Sequence, residues 1–358
     1  MRKVTMQHLA NRLRVSRSTV SRALRDDPQI SYATRERIKA FASSVDYHPN
    51  ALAQALHRRH AGAIGLLLPR SSQFVFANPY FSELLLGLSD VAEAAGYPLV
   101  VSTSKVPNYE SWLKEARVDG LITLGSSVME ADIATINDLV ASGYPFVCLH
   151  AGPPGLEATT ISSDEASGIR SALEHLSDLG HRSIAFLAGP QDARYATTRA
   201  AAYRRAAAMI GLEESETLLR HGDDTYESGG ERVRQLLAQG NGFTAVLANN
   251  DLIALGAVEV LQDGGLAVPE HVSVVGFDDV PPARLAKPAL TTVRQPIRDL
   301  GRLAMKSALR LMAGKVAPSA QLPVELLVRS STGPAPIPRT LDAGTYGEGG
   351  AVLKNRQP

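Results

Sequence analysis

The sequence predicts an α/β protein: a small helical head, followed by a body of parallel sheets with helices on both faces. Three observations carry that expectation. Two short amphipathic helix patterns follow one another at 6–13 and 17–24. From Gly62 onward, short continuous apolar runs alternate with helical patterns. The formal charge of +1 over 358 residues is unevenly divided. Residues 1–60 hold 12 Lys and Arg against 4 Asp and Glu, whereas the remainder holds 25 against 32. A basic head on an acidic body points to phosphate contact by the head alone.

The length suggests two to three units, and a hydrophobic content of 44% supports packed cores rather than disorder. No run of 18 apolar residues occurs, so no membrane span is expected. The start, Met1-Arg2-Lys3-Val4-Thr5, leads into a polar helix without an apolar leader segment, and the cytoplasm is the expected compartment. The single cysteine, Cys148, excludes an internal disulfide and cannot build a zinc site alone. No metal or cofactor is expected.

In the head, Thr5 can cap Met6 to Leu13, with Leu9, Ala10 and Leu13 on one side. Ser16 can cap the next helix, whose apolar stripe is Val15, Val20, Ala23 and Leu24. The opposite face carries Arg17, Ser18, Ser21 and Arg22. A join of about three residues fits a helix-turn-helix. Its second helix would enter the DNA major groove N-terminus first, with Arg17 and Ser18 nearest the base edges. Arg22 is expected to sit bidentate on a guanine, and Thr5, Thr19 and Ser21 to touch phosphate. A third helix, capped by Ser31, turns Ile38, Phe41, Ala42 and Val45 inward. Pro49 then ends helical structure at His48, and Asn50 can cap a short segment, Ala51 to His57. Barely two turns long, it should be marginal alone and fold only when held.

These residues carry a resemblance. Val4-Thr5, Leu9-Ala10, Val15-Ser16, Thr19-Val20-Ser21-Arg22, Thr34-Arg35, Tyr47, Pro49-Asn50, Ala53 and Leu56 resemble the head and hinge of the lactose-repressor (LacI-type) family, and the resemblance covers nearly the whole chain. It implies a DNA-contacting set that adds Ser16, Ser31, Thr34, Tyr47, Asn50, Ala53 and Leu56 to the residues above. It also implies hinge helices paired in the minor groove, with Leu56 as the wedge between base pairs. Arg14 stands in the turn where family members often have glycine, and a left-handed residue there would cost roughly 1–2 kcal/mol.

Body strands are expected at 63–69, 97–101, 120–124, 145–149, 183–187, 244–247 and 272–277, with helices at 81–96 and 112–118 among those between. Ligands in such sheets bind beyond the carboxyl ends of the strands. The resemblance implies a two-lobed, periplasmic-binding-protein-like (type I) body with three crossovers. The expected layout is a head at 1–48, a hinge at 49–60 and a body at 61–332. Within the body, the first lobe takes about 61–160 and 291–325, and the second about 161–290 and 326–332. The Gly- and Pro-rich stretch 333–358 shows no heptads and is expected to be a loose tail.

Catalytic constellations are missing. Asp278-Asp279 are adjacent on a strand end and should point to opposite faces, which suits no acid/base pair. Cys148 and His150 fall at i and i+2 with no third partner, and no GxxxxGK[ST] or GxGxxG loop occurs. Binding chemistry is better represented. Asn250-Asp251 and Asp278 follow strands, and Arg199 follows the Gly189-Pro190 turn. Amide, carboxylate and guanidinium together suit vicinal hydroxyls. On spacing alone, Asp251 serves equally as a helix cap and Arg199 as a surface residue. The resemblance implies effector contacts at Arg199, Asn250 and Asp278, with Gln295 on the third crossover and His150 at a strand end also bordering the pocket. His150 is equally a structural histidine. Of the aromatics in Asn78-Pro79-Tyr80-Phe81, Phe81 is the expected stacking surface. Ala202 stands where relatives have glycine, and Asp164-Glu165 where Asp-Asn is common.

The expected function is a sequence-specific DNA-binding transcriptional regulator, a homodimeric repressor on a pseudo-palindromic operator, controlled by a small sugar. The alternatives are a purine or other metabolite as effector, or a solute-binding protein without a DNA role.

Overall fold

The computed structural model describes residues 4–24, 26–47, 61–104, 106–212, 216–240 and 242–336. The expected hinge segment, with Asn50, Ala53 and Leu56, lies outside the described residues. The chain forms two units, Met1–Gly62 and Ala63–Pro358.

In the first unit, helices α1 (Met6–Leu13), α2 (Arg17–Ala23) and α3 (Tyr32–Ser44) enclose a small core of Leu9, Ala10, Val20, Ala23, Ile38 and Ala42. Each helix starts where a hydroxyl can take an orphan backbone N–H. Thr5 Oγ1 accepts from His8 N at 3.3 Å, Ser16 Oγ from Thr19 N at 3.0 Å, and Ser31 Oγ from Thr34 N at 3.4 Å. Arg14 is left-handed, with φ 53° and ψ 45°. Val15 N–H donates to Ala10 O at 3.0 Å and Arg14 N–H to Asn11 O at 3.4 Å. That pair of bonds closes α1 as a Schellman motif and sets the turn between the two helices. Asp46 ends α3 in the same way, at φ 49°.

The second unit holds two sheets of six strands. The first contains β1 (Ile64–Leu67), β2 (Leu99–Ser102), β3 (Gly120–Leu124), β4 (Phe146–Leu149), β5 (Thr159–Ser163) and β11 (Ala320–Leu322), in the order β11-β5-β4-β3-β1-β2 and all parallel. The second contains β6 (Ile184–Leu187), β7 (Leu219–Arg220), β8 (Ala245–Ala248), β9 (Ser273–Asp278), β10 (Thr291–Arg294) and β12 (Glu325–Leu327), ordered β12-β10-β9-β8-β6-β7. Among the described residues, only the β10/β12 pair is antiparallel. Strands β1, β3, β4, β6, β8 and β9 are buried throughout, as strands covered on both faces must be. Apolar clusters fill both faces of each sheet.

The chain passes between the sheets three times, at 164–183, 295–319 and 323–324. The lobe limits therefore differ from those expected. Thr291–Arg294 pairs with β9 in the second sheet, and Ile161 to Ser163 belong to the first. The expected boundaries followed apolar runs, which do not tell one parallel sheet from another. A second difference lies at the start of the supposed tail. Gly333 N–H donates to Ser273 Oγ at 3.0 Å, buried His181 lies 3.1 Å from Gly333 O, and Ala335 N–H donates to Leu179 O at 2.8 Å. Residues 333–335 are docked because buried polar groups of the second lobe need these partners.

Replacing Arg14 by glycine should relieve the left-handed strain, offset in part by the greater freedom of glycine in the unfolded chain. The expected gain is about 0.5–1 kcal/mol, read in the full chain as slower hydrogen exchange of the amides of 6–13. Faster exchange would mean that the arginine side chain supports the turn.

Candidate ligand cleft and nucleic-acid interface

The cleft lies at the carboxyl ends of the strands, between the two lobes of the body, and encloses about 520 Å³ including its open mouth. Arg70, Phe74, Asn78, Tyr80, Phe81, Leu124, Ser126 and His150 line it from the first lobe. Glu165, Tyr195, Arg199, Asp224, Asn249, Asn250 and Asp278 line it from the second, and Gln295 from a crossover. All six expected effector residues (Phe81, His150, Arg199, Asn250, Asp278 and Gln295) are thus brought to one place.

Their geometry gives them different roles. Arg199, on helix α9 (Arg194–Met209), is 4% exposed, and its guanidinium lies 4.0 Å over the Phe277 ring. One terminal nitrogen donates to Glu165 Oε1 at 3.1 Å, the other to Asn249 O at 2.5 Å. Burial works against the Arg199 charge, but Glu165 and Asp278 more than offset it. Glu165, first residue of α8 (Glu165–Asp178), is itself opposed by burial, yet Arg199 and His150 hold its carboxyl down at about 2. His150 Nδ1 stands 3.6 Å from Glu165 Oε1, and its Nε2 is 2.6 Å from the Tyr80 hydroxyl.

Asp278 has φ 116° and Asp279 φ 59°, so the two carboxylates diverge, as expected. Asp279 takes Arg294 at 2.9 Å and Arg329 at 2.5 Å, away from the cleft residues. Asp278 Oδ1 accepts from Gln295 Nε2 at 2.6 Å, and Ser163 Oγ fixes Gln295 by donating to its Oε1 at 2.5 Å. Burial pushes the Asp278 carboxyl up to about 7, against the pull of Arg199 and Gln295; Glu165 and Asp224 push the same way as burial.

Asn250 is chiefly structural. Its Oδ1 caps α11 (Asp251–Asp263) by accepting from Ile253 N at 2.8 Å, and its Nδ2 donates to Asp224 O at 3.2 Å. Asp251 is no cap. Its two oxygens accept from Thr292 Oγ1 at 2.5 Å and Val280 N at 2.8 Å, tying α11 to β10 and to the turn after β9. His150, at φ 62°, turns out of its strand and does not share a face with Cys148. Cys148 is buried in the cluster with Leu67, Tyr109 and Phe146, and burial pushes its thiol up to about 12. The i, i+2 reading of that pair fails because the backbone stops being extended at His150. Phe81 packs edge-on against both Phe74 and Tyr80, so the apolar wall is a cluster rather than one platform.

Sequence reasoning missed Asp224, Asn249, Tyr195 and Arg70 as cleft residues. Asp224 Oδ1 accepts from Asn249 Nδ2 at 2.9 Å, and its Oδ2 from the Tyr195 hydroxyl. Gly189 leaves room for this cluster, since a Cβ there would lie 2.7 Å from Asp224 Oδ1. Buried Arg232 fastens the loop that carries Asp224, donating to Ser228 O at 2.9 Å and Asp223 O at 3.1 Å. Burial raises Asp224 to about 6, although Asn249, Arg70 and Arg232 favour its ionised form. Among the described residues, three buried polar atoms of cleft residues lack a partner: His150 Nδ1, Arg199 Nε and Asn249 Oδ1. A polyhydroxyl ligand offers both donors and acceptors to such atoms.

On the head, Thr5, Ser16, Arg17, Ser18, Arg22 and Ser31 are exposed, and Thr19, Ser21, Thr34 and Tyr47 are half-buried. Arg17, Ser18 and Arg22 thus share the outer face of α2, opposite buried Val20 and Ala23. Arg22 reaches Gln29 Oε1 at 3.4 Å, which extends that polar face past the helix end.

Residues 5–50 match the bacterial regulatory proteins of the lacI family, and residues 173–332 match the periplasmic binding protein-like domain. Over 92% of this chain and 98% of the relative, the sequence is 33% identical to the HTH-type transcriptional regulator CelR of Thermobifida fusca. The chain belongs to the lacI family of bacterial regulatory proteins. As a lacI-family member it is a DNA-binding transcriptional regulator and not an enzyme. It is also 31% identical to the transcriptional repressor CytR of Escherichia coli K12, over 92% of this chain and 96% of that one. The lac repressor dimer bound to operator and the anti-inducer ONPF matches in structure with a TM-score of 0.82 and 30% identity, over 93% of this chain and all of that one. A CelR–cellobiose complex matches with a TM-score of 0.69 and 33% identity, over 92% and 99% of the two chains. Among the described residues, no helix is long and apolar enough to cross a membrane, and no cluster of three His, Cys, Asp or Glu is placed to hold a metal.

The cleft carboxyls set a pH dependence. Asp278 ordinarily titrates near 3.8 and is raised to about 7, so the folded protein holds its proton longer than the unfolded chain. Its contribution to stability falls as pH rises from about 4 to about 7. Glu165 acts oppositely: its contribution is present above about 4.5 and is lost as pH falls toward 2. Asp278→Asn, which keeps an acceptor for Gln295, should therefore melt higher than wild type at pH 8, by about 2–4 °C for each kcal/mol recovered. The loss of stability between acid and neutral pH should be shallower, with Asp224 supplying the remainder. Thermal melts across that range test this; parallel curves for the two proteins would contradict it.

Proposed function

We propose that this regulator is a repressor that acts in the cytoplasm as a homodimer on a pseudo-palindromic operator, and that a neutral sugar in the cleft controls its hold on DNA. The observation that carries the sugar reading is the lining itself. Buried carboxylate, amide and guanidinium groups at Asp278, Asn249, Asp224 and Arg199 face an aromatic wall of Phe74, Tyr80 and Phe81. Fixed acceptors and donors suit ring hydroxyls, and the aromatic wall suits the apolar face of a sugar ring. The likeness to a regulator solved with cellobiose supports the same ligand class. A sugar can shift DNA binding only by preferring one arrangement of the lobes over another.

Thermal-shift screening of the full chain against mono- and disaccharides, followed by operator gel shifts with each hit, tests the reading. At least one sugar should raise the melting temperature and change operator affinity by about tenfold or more. Asp278→Ala should lose that response while binding operator nearly as before, and Arg199→Ala should lose it too while melting lower, because Glu165 is left buried without its partner. If calorimetry shows both variants binding the sugar as tightly as wild type, the cleft is not the effector site.

The head is open to a separate test. Arg22→Ala should cost about 1–3 kcal/mol of operator affinity and relax preference at one half-site position. Loss of Thr5, Thr19 or Ser21 should weaken binding to all sequences alike, as phosphate contacts do. Full sequence preference in Arg22→Ala, measured against a library of half-site variants, would exclude the assignment.

A further inference from the structure

We infer that Glu165 sets the charge selectivity of the cleft, admitting neutral sugars and shutting out sugar phosphates and other anions. The inference rests on reading the cleft as a sugar site, and it concerns which sugars enter.

Two cations line the cleft, Arg199 and Arg70, against three carboxylates, Glu165, Asp224 and Asp278. Arg199 is already committed. Its terminal nitrogens are taken by Glu165 and by the Asn249 carbonyl, and Phe277 covers one face of its guanidinium. Arg70 stands 5.6 Å over the Tyr195 ring, whose hydroxyl donates to Asp224, and its charge favours the ionised form of Asp224. A phosphate entering here would find Arg199 already paired with Glu165 and would face three carboxyl groups against two cations. The raised positions of Asp278 and Asp224, driven first by burial, show how poorly the cleft tolerates negative charge.

Glu165 is the carboxylate whose loss would reverse this. It is 8% exposed and is the one side chain hydrogen-bonded to the Arg199 guanidinium among the described residues. It is also the first residue of α8, a helix of 14 residues whose N-terminal end carries partial positive charge. With a neutral side chain at 165, the buried guanidinium and the helix N-terminus would lose the carboxylate hydrogen-bonded to Arg199, and only Asp278, which burial drives toward its neutral form, and the N-cap Asp164 would remain as acidic groups beside them. A guanidinium next to a helix N-terminus, freed of its hydrogen-bonded carboxylate, binds anions. Guanidinium stays protonated, so the site cannot relieve itself by losing a proton. Glu165 therefore acts as an internal anion that occupies the place of a ligand phosphate.

The test uses full-length wild type, Glu165→Gln, Glu165→Asp and the double variant Glu165→Gln/Arg199→Gln. Sodium sulfate, glucose 6-phosphate and the neutral sugar panel serve as probes in thermal-shift and calorimetric titrations. Wild type and Glu165→Asp should respond to neutral sugars and not to either anion. Glu165→Gln should bind sulfate or glucose 6-phosphate about tenfold or more tightly than wild type does. The double variant should lose that gain. A folded Glu165→Gln without gained anion affinity would refute the inference, and so would a wild type that takes glucose 6-phosphate as tightly as neutral sugars. If Glu165→Gln is unfolded in chloride buffer, recovery of its circular dichroism in sulfate supports the inference and no recovery opposes it. Should no protein bind any sugar while Glu165→Gln gains sulfate, the charge rule stands and the sugar reading falls.

Discussion

A guanidinium buried between two lobes needs a fixed countercharge, and much of the body is arranged around that need at Arg199. The group stays charged, so the protein must supply partners instead of removing the proton. Glu165 provides the anion, Asn249 the carbonyl and Phe277 the polarisable face beneath. Each comes from a different element of the second lobe: the start of α8, the end of β8 and the end of β9. Ordering one side chain therefore fixes three segments relative to one another. The remaining carboxylates, Asp224 and Asp278, then sit in a field that is nearly balanced, which is why burial can raise both.

Strand ends supply the rest of the geometry. Parallel strands deliver their last residues to one rim, and there the backbone leaves the extended region. His150, Asp278 and Asp279 all have positive φ. That departure aims His150 at Tyr80 and separates the two aspartates into a cleft group and a structural group. Asp251, a residue apart from Asn250, holds β10 and the turn after β9 in place from behind. The cleft is a rim supported by a second set of buried bonds, so its polar groups are held before any ligand arrives.

The head was legible in the sequence almost to the residue. Caps at Thr5, Ser16 and Ser31 are local, and the apolar stripes on short helices leave few ways to pack. The cost at Arg14 was legible too, because a family glycine marks a backbone angle and the observed φ of 53° is that angle. The sheets were legible as continuous apolar runs, but the run at 291–294 carries no mark of which sheet it joins. For the cleft, Asn250 and Asp278 were found at strand ends, whereas Asn249, beside Asn250 after β8, and Arg70, after β1, were not. Strand β7 is two residues long, so Asp224 had no strand to follow. Glu165 was visible only as a departure from the common Asp-Asn pair. Its meaning required knowing that α8 and α9 bring it to within 3.1 Å of Arg199, which is a fact of tertiary packing.

The last two strands of the body have a consequence for how the chain is made. Strand β11 completes the edge of one sheet and β12, after only Pro323 and Val324, completes the edge of the other. The first lobe is not finished until residue 322 has left the ribosome, and the second not until residues near 333, which dock on Ser273 and His181, have followed. The head, whose hydrophobic core is drawn from residues 4–47, is free to fold long before that. During synthesis there is thus an interval in which the DNA-reading end exists and the ligand-sensing end does not. A chain cut short before residue 320 would lack an edge strand on both sheets at once, so truncated products lose both lobes together.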